Sequence, residues 1–182
     1  MEERRWENQA SKTGGITTLN PAMWSIDSLY HRLRGTHHDY MEADGRIYAD
    51  YLQPQGRTIL DVGTGNGNSA KRFLEAGALK VLCIEKDARL AAQIRLPRTE
   101  IYQEPFDAEK HLLGLEWDAC KIDREGYEIL ALPVLDRIHR PIVAEVHGAY
   151  LIERFQARGF EFVTQPKRAP SRMDVCLMGR KS

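Results

Sequence analysis

The residues best suited to chemistry in this chain form a glycine-rich segment, which reads DVGTGNG from Asp61 to Gly67. Glycines let a bound molecule approach the backbone at positions where a Cβ atom would clash. A dinucleotide loop of the GxGxxG type starting at Gly63 would need its third glycine at position 68, where the chain has Asn68. The Asp61 carboxylate repels a pyrophosphate and favours an ammonium or sulfonium group. We therefore predict a loop that holds a cationic cofactor.

A second carboxylate, Glu85, ends the next apolar run of the sequence. At a strand end it would accept hydrogen bonds from both hydroxyls of the ribose of an adenosine cofactor. Phe106 and Asp107 follow a weaker third run. A phenyl ring can stack on a base, and a carboxylate can accept a hydrogen bond from an exocyclic amine. The alternative for Glu85 is an exposed side chain at a strand end that binds nothing. The alternative for Phe106 and Asp107 is that they bind no ligand.

Three more polar residues, Asp123, Glu145 and His147, lie at or near the ends of two later apolar runs. A carboxylate there stabilises a cation or orients an acceptor, and an imidazole with a pKa near 6.5 accepts a proton from a hydroxyl. A hydrogen-bonded structural histidine is the alternative for His147. For Glu128 we expect a solvated or helix-capping side chain. Oxygen and nitrogen donors alone are unspecific for metals, so no metal is predicted.

Three segments together carry a resemblance to a known family. The glycine loop with Asp61 resembles motif I of the class I S-adenosylmethionine-dependent methyltransferases. The segments KIDREGYE, which begins at Lys121, and PIVAEVHG, which begins at Pro141, are similar to the FkbM-type branch of that class. The resemblance covers about residues 57 to 148. It implies S-adenosylmethionine as the cofactor, with Asp61 near the methionine part.

The resemblance and the residue positions give two sets of candidate site residues. The candidate cofactor-binding residues are Asp61, Gly63, Thr64, Gly65, Gly67, Asn68, Glu85, Lys86, Phe106, Asp107 and Asp123. The candidate catalytic residues are Asp123, Glu145 and His147. Asp123 belongs to both sets because it lies where the sulfonium and the acceptor would meet.

The methyl acceptor is predicted to be the hydroxyl, or another nucleophile, of a small molecule. The resemblance implies this, because family members are described as O-methyltransferases of sugars or natural products. The chain also lacks the N/D-P-P-Y/F segment common in amine methylation of bases, and Cys120 lies inside a strand, away from where C5 methylation of cytosine needs a nucleophile. The alternatives are an RNA methyltransferase with a local basic patch, an NAD-dependent oxidoreductase, and a non-catalytic module that binds the cofactor or a partner.

The elements that position these residues follow from the alternation of short apolar runs with helical patterns after residue 57. This alternation is typical of a Rossmann-like α/β fold with a mostly parallel sheet and helices on both faces. Ligands of such sheets bind at the carboxyl ends of the strands. We expect a helix with Ala70, Phe73 and Leu74 on its apolar face, a helix capped by Asp87, and a helix around Leu151. The predicted strands are Thr58–Val62, Lys80–Glu85, Ile101–Gln103, Trp117–Asp123, Pro141–His147 and an antiparallel pair, Phe160–Thr164 and Asp174–Met178.

The first 56 residues show no strand alternation. We predict helices from Ser25 or Asp27 to about Arg34 and from Asp39 to about Leu52. Residues 1–56 would form a helical extension or lid, and residues 57–182 the S-adenosylmethionine-binding methyltransferase domain.

Composition narrows the class of protein further. The 182 residues include 26 Lys and Arg against 26 Asp and Glu, so no net charge draws the chain to nucleic acid or an anionic membrane. No apolar run reaches the roughly 18 residues of a membrane span, and no membrane partner is predicted. The three cysteines have no metal-ligand spacing and are expected to be buried free thiols. We expect a cytoplasmic monomer or homodimer.

Overall fold

The computed structural model describes residues 37–164, 167–168 and 174–181, and the helix predicted before Arg34 lies outside them. The helices are α1 (His37–Leu52), α2 (Asn68–Glu75), α3 (Ala88–Ala91), α4 (Leu132–Leu135) and α5 (Ala149–Gln156). The strands are β1 (Thr58–Val62), β2 (Lys80–Ile84), β3 (Thr99–Tyr102), β4 (Ala119–Ile122), β5 (Ile142–His147), β6 (Glu161–Phe162), β7 (Lys167–Arg168) and β8 (Asp174–Arg180). A π-helical turn, Glu109–Leu113, precedes β4, and a 3-10 turn, Glu128–Ala131, leads into α4.

The strands form one sheet in the order β3-β2-β1-β4-β5-β8-β6, with β7 paired to β8. The first five are parallel to their neighbours, and β8 runs antiparallel to β5, β6 and β7. The predicted mostly parallel Rossmann-like sheet with a C-terminal antiparallel pair is confirmed. The order reverses between β1 and β4, which is where ligands of open α/β sheets bind.

Apolar packing covers both faces of the sheet. Central strand β1 buries Ile59, Leu60 and Val62, because a parallel strand in the middle of a sheet has no solvated face. The predicted apolar face of α2 is confirmed: Ala70, Phe73 and Leu74 are buried. They pack in one cluster with Tyr48 and Leu52 of α1, so α1 lies on the same face of the sheet. Cys83, Cys120 and Cys176 are buried and free, as predicted.

Strand β1 has the predicted bounds, and the ends of the other strands differ from the predicted ones by at most two residues. Strand β2 ends at Ile84, so Glu85 is the first residue beyond it. The turn-rich stretch from Gln165 to Ser171, for which no strand was predicted, contains β7. Lys167 pairs with Val175 and Arg168 with Asp174, because the exposed edge of β8 offers backbone partners that override the turn composition. Among the described residues, none of the helices has the length and apolar character of a membrane span.

Candidate active site

The carboxyl ends of β1, β2, β4 and β5 lie side by side at one edge of the sheet, because these strands are parallel neighbours. Asp61 lies in β1, Glu85 directly follows β2, and Asp123 directly follows β4. Glu145 and His147 lie in the last half of β5. The fold therefore gathers at one edge the carboxylates and the histidine that the sequence placed in separate segments.

The glycine loop turns sharply between β1 and α2. Gly63 has a φ of 76°, and a Cβ atom there would lie 1.8 Å from the Asp123 carbonyl oxygen. The backbone of the loop thus packs directly against the end of β4, and only glycine fits. On the other side, the Gly63 N–H donates to the Ile84 carbonyl of β2 at 3.0 Å. The loop is attached to both neighbouring strands.

The rest of the loop leads into the helix. The buried Thr64 hydroxyl donates to the Asp61 carbonyl at 2.7 Å and closes the turn. Gly65 and Gly67 also have positive φ values, 61° and 94°. The exposed Asn68 is the first residue of α2. These four candidates therefore form one continuous backbone surface at the amino end of α2, where N–H groups point away from the helix.

Glu85 is 8% exposed and connects the loop to β2. Its Oε2 accepts from the Gly65 N–H at 2.9 Å, and its Oε1 accepts from the Asp87 N–H at 2.8 Å. A carboxylate has about four acceptor positions, so two remain for a ligand. The neighbouring Lys86 is exposed, with its Nζ 5.4 Å from the centre of the Tyr127 ring.

The structure shows Phe106 and Asp107 in local contacts. Phe106 is 5% exposed and stacks on the His111 ring, with centroids 5.9 Å apart and an interplanar angle of 18°. The exposed Asp107 accepts from the Lys110 N–H at 3.0 Å, and its own N–H donates to His111 Nδ1 at 2.9 Å. The Arg124 guanidinium carbon lies 5.9 Å from the centre of the Phe106 ring. One face of this ring is thus occupied by His111, and adenine stacking stays a prediction.

Lys121 is a site residue that the sequence did not reveal as one. It lies in β4, and its side chain is 2% exposed. Its Nζ donates to the Gly63 carbonyl at 3.0 Å and lies 3.2 Å from Asp61 Oδ1 and 3.4 Å from Asp123 Oδ2. The other Asp61 oxygen accepts from the Ser69 hydroxyl at 2.6 Å. The sequence signals were its position at the start of the KIDREGYE segment and inside an apolar strand, two residues before Asp123.

His147 lies among carboxylates at the end of β5. Its Nδ1 is 3.4 Å from Glu128 Oε1, and its Nε2 is 3.4 Å from Glu145 Oε1 and 3.7 Å from Glu125 Oε2. The Glu145 carboxylate also accepts from the Tyr48 hydroxyl of α1 at 2.8 Å. Helix α1 is therefore connected to this polar cluster by a hydrogen bond to a charged group.

Glu128 is buried, which corrects the expectation of a solvated side chain. Its Oε1 accepts from the N–H groups of Arg124 at 2.8 Å and Gly126 at 3.1 Å. These bonds hold the turn after β4, in which Glu125 has a left-handed φ of 51°. The Glu128 carboxylate is buried because it accepts hydrogen bonds from N–H groups of this turn and faces His147.

Burial and neighbouring charges shift the pKa values of this cluster. Burial raises the pKa of Asp123, Lys121 opposes the shift and Glu145 adds to it, which leaves a pKa of about 8. Burial alone lowers the pKa of His147, but its contacts with Glu128 and Glu145 outweigh burial and raise it to about 11. At neutral pH His147 is a cation, whereas Asp123 titrates close to neutral pH.

Among the residues that the structure describes, no group of three His, Cys, Asp or Glu side chains is placed to hold a metal ion. A cavity of about 470 Å³ lies elsewhere, lined in part by Tyr51, Gly179 and Arg180. Arg180 pairs with Ile142, the first residue of β5, so this cavity is at the amino end of that strand. The carboxyl edge remains the candidate site.

No protein-family profile matches this chain. No curated protein sequence matches it either. Its fold is similar to that of many solved structures.

Several of these structures are named as methyltransferases or methylases, and three examples follow. Precorrin-6y C5,15-methyltransferase from Geobacter metallireducens has 14% identity and a TM-score of 0.57, over 76% of this chain and 87% of that one. A rRNA methylase from Streptococcus thermophilus has 15% identity and a TM-score of 0.54, over 76% and 94%. The 1,6-didemethyltoxoflavin-N1-methyltransferase of Burkholderia thailandensis, with bound S-adenosylhomocysteine, has 17% identity and a TM-score of 0.51, over 93% and 94%. The chain thus shares the Rossmann-like fold of these three proteins.

Proposed function

We propose that this chain is an S-adenosylmethionine-dependent methyltransferase of FkbM-like type that methylates a hydroxyl of a small molecule. One observation carries the proposal: the glycine loop lies between the carboxylates of Asp61, Glu85 and Asp123 at the point where the strand order reverses. The three carboxylates outnumber the Lys121 ammonium that lies beside two of them, so a pyrophosphate at this loop would meet net negative charge, whereas a sulfonium and an ammonium are attracted. The arrangement therefore favours S-adenosylmethionine over NAD.

The residues of the edge divide between the parts of the cofactor. The loop from Gly63 to Asn68 gives it close access to the backbone, and Glu85 accepts the ribose hydroxyls. Phe106 and Asp107 bind the adenine, beside Lys86. When bound, S-adenosylmethionine supplies an electrophilic methyl group for direct displacement by the acceptor oxygen.

Asp123 is the residue best placed to take the proton of the acceptor. Its side chain is 23% exposed, so an acceptor reaches it, and its pKa of about 8 lies near neutral pH. A general base works best when its pKa is close to the working pH. His147 is already protonated, so it positions Glu145 and balances the negative charge of the cluster.

Methyl-labelled S-adenosylmethionine tests the proposal against the RNA alternative. The wild-type protein is incubated separately with the low-molecular-mass fraction of a cell extract and with total RNA. We expect label in the small-molecule fraction, and a loss of about 100-fold or more in Asp123→Asn. Asp136→Asn is the matched control, because Asp136 has a 67% exposed side chain and lies outside the site. Label in RNA alone, or equal transfer by Asp123→Asn, would contradict the proposal.

A further inference from the structure

Lys121 is a buried cation that no step of the proposed reaction uses. Its side chain is 2% exposed, and it points from β4 toward the glycine loop of β1. Burying an ammonium is costly unless charged or hydrogen-bonding partners replace its water. The structure therefore has to supply those partners in specific places.

The ammonium has three partners, one hydrogen-bonded carbonyl and two carboxylates within ion-pair distance. The first is the Gly63 carbonyl at 3.0 Å, and the others are Asp61 Oδ1 at 3.2 Å and Asp123 Oδ2 at 3.4 Å. Each partner belongs to a segment on which the cofactor site depends. Because the Gly63 N–H is already bound to Ile84 of β2, the bond from Lys121 fixes the same residue to β4.

The same contacts explain how the Asp61 carboxylate can be buried. This carboxylate is fully buried, with Ser69 on one oxygen and Lys121 beside the other. Asp123 keeps 23% of its side chain exposed. Of the two carboxylates on Lys121, only Asp123 is therefore open to a ligand.

We infer that Lys121 is a positioning residue for the proposed cofactor site, which fixes the Gly63 end of the loop to β4 and engages Asp61 in an internal ion pair. The inference rests on the proposed function for its effect on the cofactor. Asp61 then acts on the cofactor through the loop, and Asp123 faces the cationic methionine part.

Amide hydrogen exchange and calorimetry with S-adenosylhomocysteine test this role. In Lys121→Met, exchange is expected to increase at residues 63–67 and to stay unchanged in β8. Affinity for S-adenosylhomocysteine is expected to fall roughly 10- to 100-fold, as for loss of a hydrogen bond to a charged donor. Lys121→Gln, which keeps a donor, should lose less. Lys71→Met is the control, because the Lys71 side chain is 61% exposed on α2.

The Asp61→Asn background separates positioning from charge balance. If Lys121 only neutralised Asp61, adding Lys121→Met to Asp61→Asn would leave exchange at residues 63–67 unchanged, and the inference would be wrong. We expect exchange there to rise even in that background, because the Gly63 carbonyl loses its donor. The comparison of Asp61→Asn with the double variant still tests the inference if Lys121→Met alone fails to fold.

The outcomes also separate the inference from the proposed function. If the wild-type protein does not bind S-adenosylhomocysteine, the proposed function fails, while exchange at residues 63–67 still decides whether Lys121 holds the loop. If the wild type binds and Lys121→Met binds equally well with unchanged exchange, the inference is overturned and the function stands.

Discussion

The charge on His147 predicts how the stability of the protein depends on pH. The side chain is 7% exposed, and its two ring nitrogens each lie 3.4 Å from a carboxylate oxygen, one of Glu128 and one of Glu145. These contacts raise the pKa from its usual 6.5 to about 11. Between these two values the folded protein holds a proton that the unfolded chain releases. The stabilisation is complete below pH 6.5 and is lost as pH rises toward 11.

The magnitude follows from the linkage between proton binding and folding. One proton difference changes the free energy of unfolding by up to about 1.4 kcal/mol per pH unit. From pH 7 to pH 9 the wild-type protein should therefore lose roughly 2 to 3 kcal/mol through His147. His147→Gln cannot release this proton, so its stability should fall less over the same range.

Urea denaturation at pH 7, 8 and 9 measures the effect in the wild type, His147→Gln and the control His139→Gln, since His139 is exposed. The raised pKa of Asp123 also lowers stability as pH rises toward about 8, so the useful quantity is the difference between proteins. The difference in free energy of unfolding between the wild type and His147→Gln should shrink as pH rises, whereas the difference between the wild type and His139→Gln should stay constant. Parallel loss of stability in wild type and His147→Gln would refute a protonated His147.

Three further substitutions test the geometry of the edge. Gly63→Ala should lower the free energy of unfolding by about 3 kcal/mol or more, because its Cβ would meet the Asp123 carbonyl. Gly56→Ala, with a φ of 72° and open space around it, should lower it by about 1 kcal/mol. Similar thermal melts of the two variants would contradict this. The kcat/KM of the wild type should rise with pH with a midpoint near 8, and Asp123→Asn should abolish this rise in the pH-rate profile; the same midpoint in both would exclude Asp123 as the base. Tyr48→Phe should lower the free energy of unfolding in urea by about 1.5 to 3 kcal/mol, because Glu145 loses a hydrogen bond; no change would show that this bond does not stabilise the packing of α1.

The sequence predicted the sheet because local signals and burial agree in its central strands. Thr58–Val62 is an apolar run before a glycine loop, and the structure has a strand with the same bounds. The cap at Asp87 was also confirmed, since its carboxylate accepts from the N–H groups of Arg89 and Leu90. Strand β7 could not be predicted, because its two residues pair only where the edge of β8 is available.

The sequence predicted that the carboxylates lie at one edge of the sheet. It did not predict the buried Lys121 and Glu128, which pair with charged groups there. Asp61, Glu85 and Asp123 follow or end apolar runs, so their common edge follows from parallel strands. Lys121 and Glu128 begin and end the KIDREGYE segment, but nothing in the sequence indicated that either side chain is buried. Their burial depends on partners from other strands, the Gly63 carbonyl for Lys121 and His147 for Glu128. Spacing along one segment carries no information on such contacts.

Calorimetric titration with S-adenosylhomocysteine and, separately, with NAD tests the central claim most directly. We predict binding of S-adenosylhomocysteine alone, weakened roughly 10- to 100-fold in Glu85→Ala through loss of hydrogen bonds to a charged acceptor. Glu116→Ala is the control, because Glu116 is exposed and precedes β4. Binding of NAD alone would instead make the chain an oxidoreductase candidate, and binding of neither ligand would contradict a cofactor site at this edge.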